Sequence, residues 1–297
     1  MNRHPLASAT AIMTTAALVF SAMALLVKGV AARLPGPEIA LLRFAAGLIA
    51  VVVAGTTRVK LRPRNWRGLF WRGAFGGCAV LCYFLAIEHL TVGMATLLNY
   101  TAPVFAALFA WALLGEHIGR HTLGALSVTT SGVAMVLVGS APAGSLGLGR
   151  WQLVGILSSI LSGAAIATIR QVRRTDGAWE IFAAFCAAGV VTTSLPAARH
   201  WVAPTGREWA LLAAVGATSV TAQLLMTHAL RDLPAAVSGV LLQLTPAATL
   251  VMGFLVFGER PRGLAIAGAA LTLMGVSWGA WAAAAPRRLQ PVPPEDP

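Results

Sequence analysis

Two stretches of this chain read alike. One is TLLNYTAPVFAALFAWALLGE, Thr96–Glu116; the other is VLLQLTPAATLVMGFLVFGE, Val240–Glu259. At an offset of 143 residues Pro103 meets Pro246, Gly115 meets Gly258 and Glu116 meets Glu259. The same offset pairs Gly73 with Gly216, Ala86 with Ala229, Leu90 with Leu233 and Gly132 with Gly275. At 142, Lys28 meets Arg170 and Glu38 meets Glu180. Apolar sequences align easily, but a shared Pro-x11-Gly-Glu with so many other matches at a near-constant offset marks an internal duplication.

The duplicated unit belongs in a membrane. Of 297 residues, 57% are apolar and only 11% are charged, with a mean hydropathy of +0.76. A soluble chain is roughly a quarter charged, and 32 charged side chains cannot hydrate the surface of a 30.8 kDa globule. Three cysteines do not make a disulfide scaffold. Cys78, Cys82 and Cys186 lie in apolar runs and read as buried free thiols. An outer-membrane barrel would need alternating polarity, and the runs here are unbroken. The net charge of +12 fits cationic cytoplasmic loops better than nucleic-acid binding, because no soluble domain carries a basic face.

A bilayer core about 30 Å thick takes roughly 20 helical residues. Ten runs meet that length: Ala7–Ala32, Glu38–Gly55, Leu69–Glu88, Val92–Gly115, Thr122–Gly139, Trp151–Ile169, Trp179–Leu195, Glu208–Leu230, Pro234–Gly258 and Gly263–Ala284. The expected fold is therefore all-α and integral to the membrane, with ten transmembrane helices. The first run is too long for a signal-peptide core and is read as a retained helix. Residues 1–140 hold the first five-helix repeat, 151–285 the second, and 286–297, with five prolines, a disordered cytoplasmic tail. Five is odd, so the second repeat lies upside down relative to the first. With a cytoplasmic N-terminus, thirteen Lys and Arg fall inside and six outside, which places both termini in the cytoplasm. Inverted repeats are a recurring plan of secondary transporters, with the solute held between the halves near mid-membrane.

The doubled five-helix unit, the Pro-x11-Gly-Glu endings and the Glu38-x4-Arg43-Phe44 start of the second run together carry a family resemblance. Over residues of roughly 7–285 the chain resembles the drug/metabolite transporter superfamily, in its ten-helix EamA-type branch. Phe185 stands where the second repeat would match Arg43, so any role of that arginine is not duplicated. The resemblance implies similarity to exporters of amino acids and related metabolites, including the YddG type, in the bacterial inner membrane.

Candidate site residues follow from polarity at membrane depth. Thr96, Asn99, Tyr100, Pro103 and Ala107 have the spacing of one helical face. Gln243 is the repeat mate of Tyr100. Tyr83, Gln223 and His228 add a hydroxyl, an amide and an imidazole in neighbouring runs. Hydrogen-bonding groups without fixed charge suit a neutral or zwitterionic solute; each alone could equally serve a helix–helix bond. Pro103 and Pro246 each remove a backbone hydrogen bond and read as kinks that gate or wall the path, or as packing kinks. Lys28 and Arg43 are charge-site candidates. Lys28 lies near enough to its helix end to snorkel; Arg43 would pair with Glu38 or with a solute carboxylate. Glu116 and Glu259 are expected to pair with Arg120 and with Arg260 or Arg262.

Gly73-x3-Gly77, Gly275-x3-Gly279 and Ser127-x3-Ser131 allow close helix approach, either within a monomer or along a homodimer seam. No zinc-protease, phosphate-loop or nucleophile-elbow motif occurs in the sequence. The expectation is a non-enzymatic secondary transporter without metal or cofactor, partnered by its solute and the bilayer. Uptake or exchange of a nucleoside-like or drug-like metabolite is the alternative within transport. An intramembrane enzyme and a non-transporting receptor are alternatives from other classes.

Overall fold

The computed structural model describes residues 4–31, 33–57, 61–89, 98–140, 149–257 and 263–284. The regular elements among them are helices: α1 His4–Ala31, α2 Gly36–Thr57, α3 Trp66–His89, α4 Ala102–Leu114, α5 Arg120–Ser140, α6 Arg150–Val172, α7 Ala178–Arg199, α8 Gly206–Ala229, α9 Ala235–Leu242, α10 Leu244–Phe257 and α11 Gly263–Ala284. Seven described helices are long and apolar enough to cross a membrane. The outer surface carries large apolar side chains, among them Ile49, Phe70, Trp111, Val191 and Leu255. So much exposed hydrocarbon is tolerable only against lipid.

Polar groups appear where helices start and stop, because the end amides and carbonyls need partners. Thr205 and Glu208 form a reciprocal capping box on α8, with Thr205 N donating to Glu208 Oε2 at 2.7 Å. Asn65 Oδ1 accepts from Gly68 N at 2.9 Å in the first turn of α3. Gly115 ends α4 at φ 64°, and its N–H returns to Ala110 O. Only glycine takes that left-handed turn without a Cβ penalty.

The halves of the chain pack mainly against each other. α3 lies against α6 and α7, while α8 lies against α1 and α2. α2 crosses α7, α4 lies on α6, α10 lies on α1, and α5 pairs with α11. Small residues let these backbones meet. A Cβ at Gly73 would stand 2.7 Å from Ala184 O, one at Gly132 would stand 2.6 Å from Thr272 N, and one at Gly275 would stand 2.9 Å from Thr129 N. The Gly73/Gly77 and Gly275/Gly279 faces thus pack within the monomer, whereas Ser127 and Ser131 face outward.

Several expectations need correction. The fourth and ninth runs are not single kinked helices. The chain turns at Tyr100–Thr101 before α4, and again at Gln243 between α9 and α10. Proline supplies no N–H to the carbonyl four residues back, and in both cases the helix breaks ahead of it. The single face drawn through Thr96, Asn99, Tyr100 and Pro103 is therefore interrupted, and Thr96 itself lies outside the described residues. So do Glu259 and the tail 286–297.

Candidate solute-binding site

The two breaks occupy equivalent places and are held in equivalent ways. At the first, Thr101 N reaches Leu98 O at 3.2 Å and Val104 N reaches Thr101 O at 3.0 Å. This three-residue spacing replaces the α-helical four. α6 grips the turn: Thr101 Oγ1 lies 2.6 Å from Ser159 Oγ, and Asn99 Oδ1 accepts from Ser158 Oγ (3.2 Å) and Ser162 Oγ (3.4 Å). At the second break, Gln243 N is shared between Gly239 O and Val240 O, both at 3.2 Å. α1 grips this one: Ser21 Oγ donates to Thr245 O at 3.1 Å, and Thr245 Oγ1 donates to Ala17 O at 3.3 Å. The first helix of each half thus holds the broken helix of the other. Side-chain hydroxyls on α6 and α1 tie both turns to the neighbouring helix.

Tyr100 and Gln243 meet between the breaks. Gln243 is fully buried. Its Nε2 donates to Thr130 Oγ1 at 2.9 Å and stands 3.5 Å from Tyr100 O. Its Oε1 is buried with no hydrogen-bond partner among the described residues. The Tyr100 side chain lies beside that of Thr245. Tyr83 lies within electrostatic range of both Tyr100 and Arg43, which links the first break to α2. Gln223 is buried, and its Nε2 also lacks a partner among the described residues. Pro103 packs against α9, where a Cβ at Gly239 would meet Pro103 Cβ at 2.8 Å.

Not every predicted site residue joins this group. His228 is exposed on α8, because it lies one position from the buried face carrying Met226, Thr227 and Ala229. Lys28 is exposed on the last turn of α1, as snorkelling requires. Glu38 is not the partner of Arg43. It is fully buried, and its Oε2 accepts from Val202 N at 2.9 Å.

Glu116 does not bind Arg120 either. Its Oε1 accepts from Arg170 Nε at 2.9 Å and its Oε2 from Ala235 N at 3.1 Å. The carboxylate follows the C-terminus of its own helix but sits on the N-terminus of α9, where the helix dipole favours an anion. Arg170 also donates to Leu230 O at 3.0 Å and to Arg231 O. The ends of α4, α6 and α8 and the start of α9 are thereby tied together.

Sequence reasoning passed over Arg72 because it lies near the start of its run. In the structure it is 2% exposed and stacks 4.1 Å from the Phe185 ring centroid. The available signal was Gly76, four residues on, which leaves room for a side chain turned along its own helix. No cluster of three or more His, Cys, Asp or Glu that could hold a metal occurs among the described residues.

Known proteins share this architecture and sequence. A solved crystal structure 23% identical to the chain superposes with a TM-score of 0.81, over 93% of this chain and 97% of that one. The pseudopaline exporter CntI of Pseudomonas aeruginosa is 31% identical over 271 residues, covering 91% of this chain and 94% of that protein. A probable terminal-alkyne amino-acid exporter of Streptantibioticus cattleyicolor is 29% identical over 248 residues, 78% of this chain and 79% of that protein. The EamA-like transporter family matches residues 8–138 and again 149–280. A double match over nearly the whole chain, on an all-helical, lipid-facing bundle, shows that this protein is a multi-pass membrane protein belonging to the EamA-like transporter family.

Proposed function

We propose that the chain is a secondary exporter of small amphipathic metabolites, amino acids first among them, working by alternating access from the bacterial inner membrane with both termini cytoplasmic. The observation that carries this reading is the pair of broken helices at Tyr100 and Gln243, meeting inside the bundle with unpaired polar atoms beside them. Discontinuous helices at matching positions of two halves are where transporters of this plan bind solute. Relatives named as exporters, one of them of an amino acid, support the direction and the solute class.

The reading takes the ten runs as two inverted five-helix repeats. Numbering the runs one to ten, a shift of five turns the pairing of three with six into that of eight with one, and four with six into nine with one. Both members of each couple occur among the packed pairs. The Glu116–Arg170 network then closes the cytoplasmic end, and rocking of the halves must break it to admit solute. The solute's own gradient or a proton gradient drives the cycle.

The test is flux from proteoliposomes holding the full chain, with a panel of radiolabelled amino acids, with and without a pH gradient. Saturable efflux of apolar or amphipathic amino acids is expected, abolished by neither ATP depletion nor chelators. Flux no greater than in protein-free vesicles across the panel would overturn the amino-acid reading.

A further inference from the structure

Two arginines face the bundle interior with no acidic partner among the described residues. Arg72 on α3 is 2% exposed, and its Nε and Nη1 are buried with no hydrogen-bond partner among the described residues. Arg43 on α2 has its Nε in the same state. The two guanidinium groups are within electrostatic range of each other and of Cys186 on α7. What they touch is aromatic. Arg72 stacks on Phe185 at 4.1 Å, Arg43 lies 5.0 Å from the Phe44 centroid, and Phe44 meets Phe185 edge-on at 5.0 Å. The described salt bridges engage other arginines, Arg33 with Glu208 and Arg170 with Glu116.

The side chain of Arg72 is turned away from the nearer end of its helix. A Cβ at Gly76 would collide with Arg72 Nη1 and stand 2.7 Å from Phe185 Cδ2. The guanidinium therefore occupies the space that Gly76 leaves, one turn deeper along α3. A snorkelling arginine would run the other way, toward water. Holding a permanent cation there is expensive, and a second cation nearby adds repulsion. Aromatic faces return only part of that. Arginine does not escape by losing its proton. An anion received between the two groups would compensate both, and the planar fork of a guanidinium matches a carboxylate.

We propose that Arg43 and Arg72 form a carboxylate-binding subsite, between α2, α3 and α7, that takes the carboxylate of the transported solute. Tyr83, in range of Arg43 and of Tyr100, joins this subsite to the broken helices, where the rest of the solute lies. The proposal rests on the amino-acid reading for the identity of the solute, but not for the anion chemistry.

The experiment measures binding to the purified full chain in phosphatidylcholine nanodiscs, which carry no net-anionic lipid. The probes are L-phenylalanine, L-phenylalaninamide and benzoate, with flux of phenylalanine measured in parallel. Wild type should bind phenylalanine and benzoate, and bind the amide at least tenfold more weakly. Arg43→Gln and Arg72→Gln should each weaken benzoate about tenfold or more, with Arg→Lys intermediate. Gly76→Ala keeps both charges but displaces the Arg72 head, and should weaken benzoate several-fold; it serves if a glutamine variant does not fold. Carboxylate binding that is absent in wild type, or unchanged in the variants, overturns the subsite. Arginine-dependent benzoate binding without phenylalanine flux would leave the subsite standing and overturn the amino-acid reading. Phenylalanine flux indifferent to both arginines would do the reverse.

Discussion

Glu38 and Glu180 do the same work at opposite ends of the bundle. Glu38 Oε2 accepts from Val202 N at 2.9 Å, and Glu180 Oε1 accepts from Arg62 N at 2.9 Å. Each carboxylate sits in the first turn of its helix, α2 or α7, and captures the backbone of a connection in the other half of the chain. The neighbouring ties correspond in the same way. Arg33 Nε donates to Glu208 Oε1 at 2.8 Å at one end, while Arg64 N and Asn65 N donate to the Asp176 carboxylate at 2.7 and 3.1 Å at the other.

Glu38→Gln and Glu180→Gln should each lower stability by about 1.5–3 kcal/mol, the usual contribution of a hydrogen bond to a charged group. Thermal unfolding of the purified protein measures it. Glu180 is less enclosed than Glu38, so the loss should be larger at Glu38. A Glu38→Gln variant as stable as wild type would remove the carboxylate from the account of how the halves are joined.

The Glu116 network should hold the cytoplasmic end shut. Ser238 is fully buried on α9, one turn beyond the Ala235 amide that Glu116 binds. With the native cysteines replaced, Ser238→Cys in inside-out vesicles should react slowly with an impermeant maleimide. Adding Glu116→Gln should accelerate labelling several-fold. Equal labelling rates would make the network a static tie.

Pro103→Ala and Pro246→Ala should reduce transport more than they reduce folded yield, because restoring an N–H lets a continuous helix form where the chain now breaks. The measurement is initial flux per mole of monodisperse protein. Equal flux per folded molecule would assign both prolines to packing, as the contact of Pro103 with Gly239 alone would suggest.

Tyr100→Ala should weaken transport of bulky apolar solutes more than small ones, whereas Gln243→Ala should affect both alike. A lost neutral hydrogen bond is worth about 0.5–1.5 kcal/mol, roughly a few-fold to tenfold in apparent affinity. Thr130→Val separates two roles of Gln243, since Thr130 holds its Nε2 at 2.9 Å. If Thr130→Val reproduces Gln243→Ala, the amide orients by that bond; if it does not, the free Oε1 meets the solute directly. Unchanged flux and affinity in all three variants would place the site elsewhere.

A cysteine introduced at Gln290 should label from the cytoplasmic side only, as the charge count over the connections requires. Labelling from outside intact cells would reverse the orientation of the chain and of every assignment of inside and outside.

The membrane class and the duplication were legible in sequence because both are one-dimensional. Hydropathy sums along the chain, and Pro-x11-Gly-Glu recurs at a constant offset. Tyr100, Gln243 and their prolines stood out as candidates for the same reason: polar residues and proline inside an apolar run are conspicuous. Misreadings came where a partner lies far off in sequence. Glu116 chose Arg170 over Arg120, and Glu38 chose the Val202 amide over Arg43, because inter-half packing brings helix ends together that no local spacing predicts. His228 was misplaced by the narrow angle that separates an inward from an outward face on α8.

What composition and periodicity determined by themselves was a lipid-facing bundle of duplicated helices with polar residues inside the apolar runs, because each of these is a property of single segments. The tertiary structure alone decided where the two runs break, which helices grip the breaks, and that Arg72 turns inward over Phe185 beside Gly76. Those outcomes depend on satisfying backbone and charge across helices from opposite halves, and a satisfied group is defined by its neighbours in space.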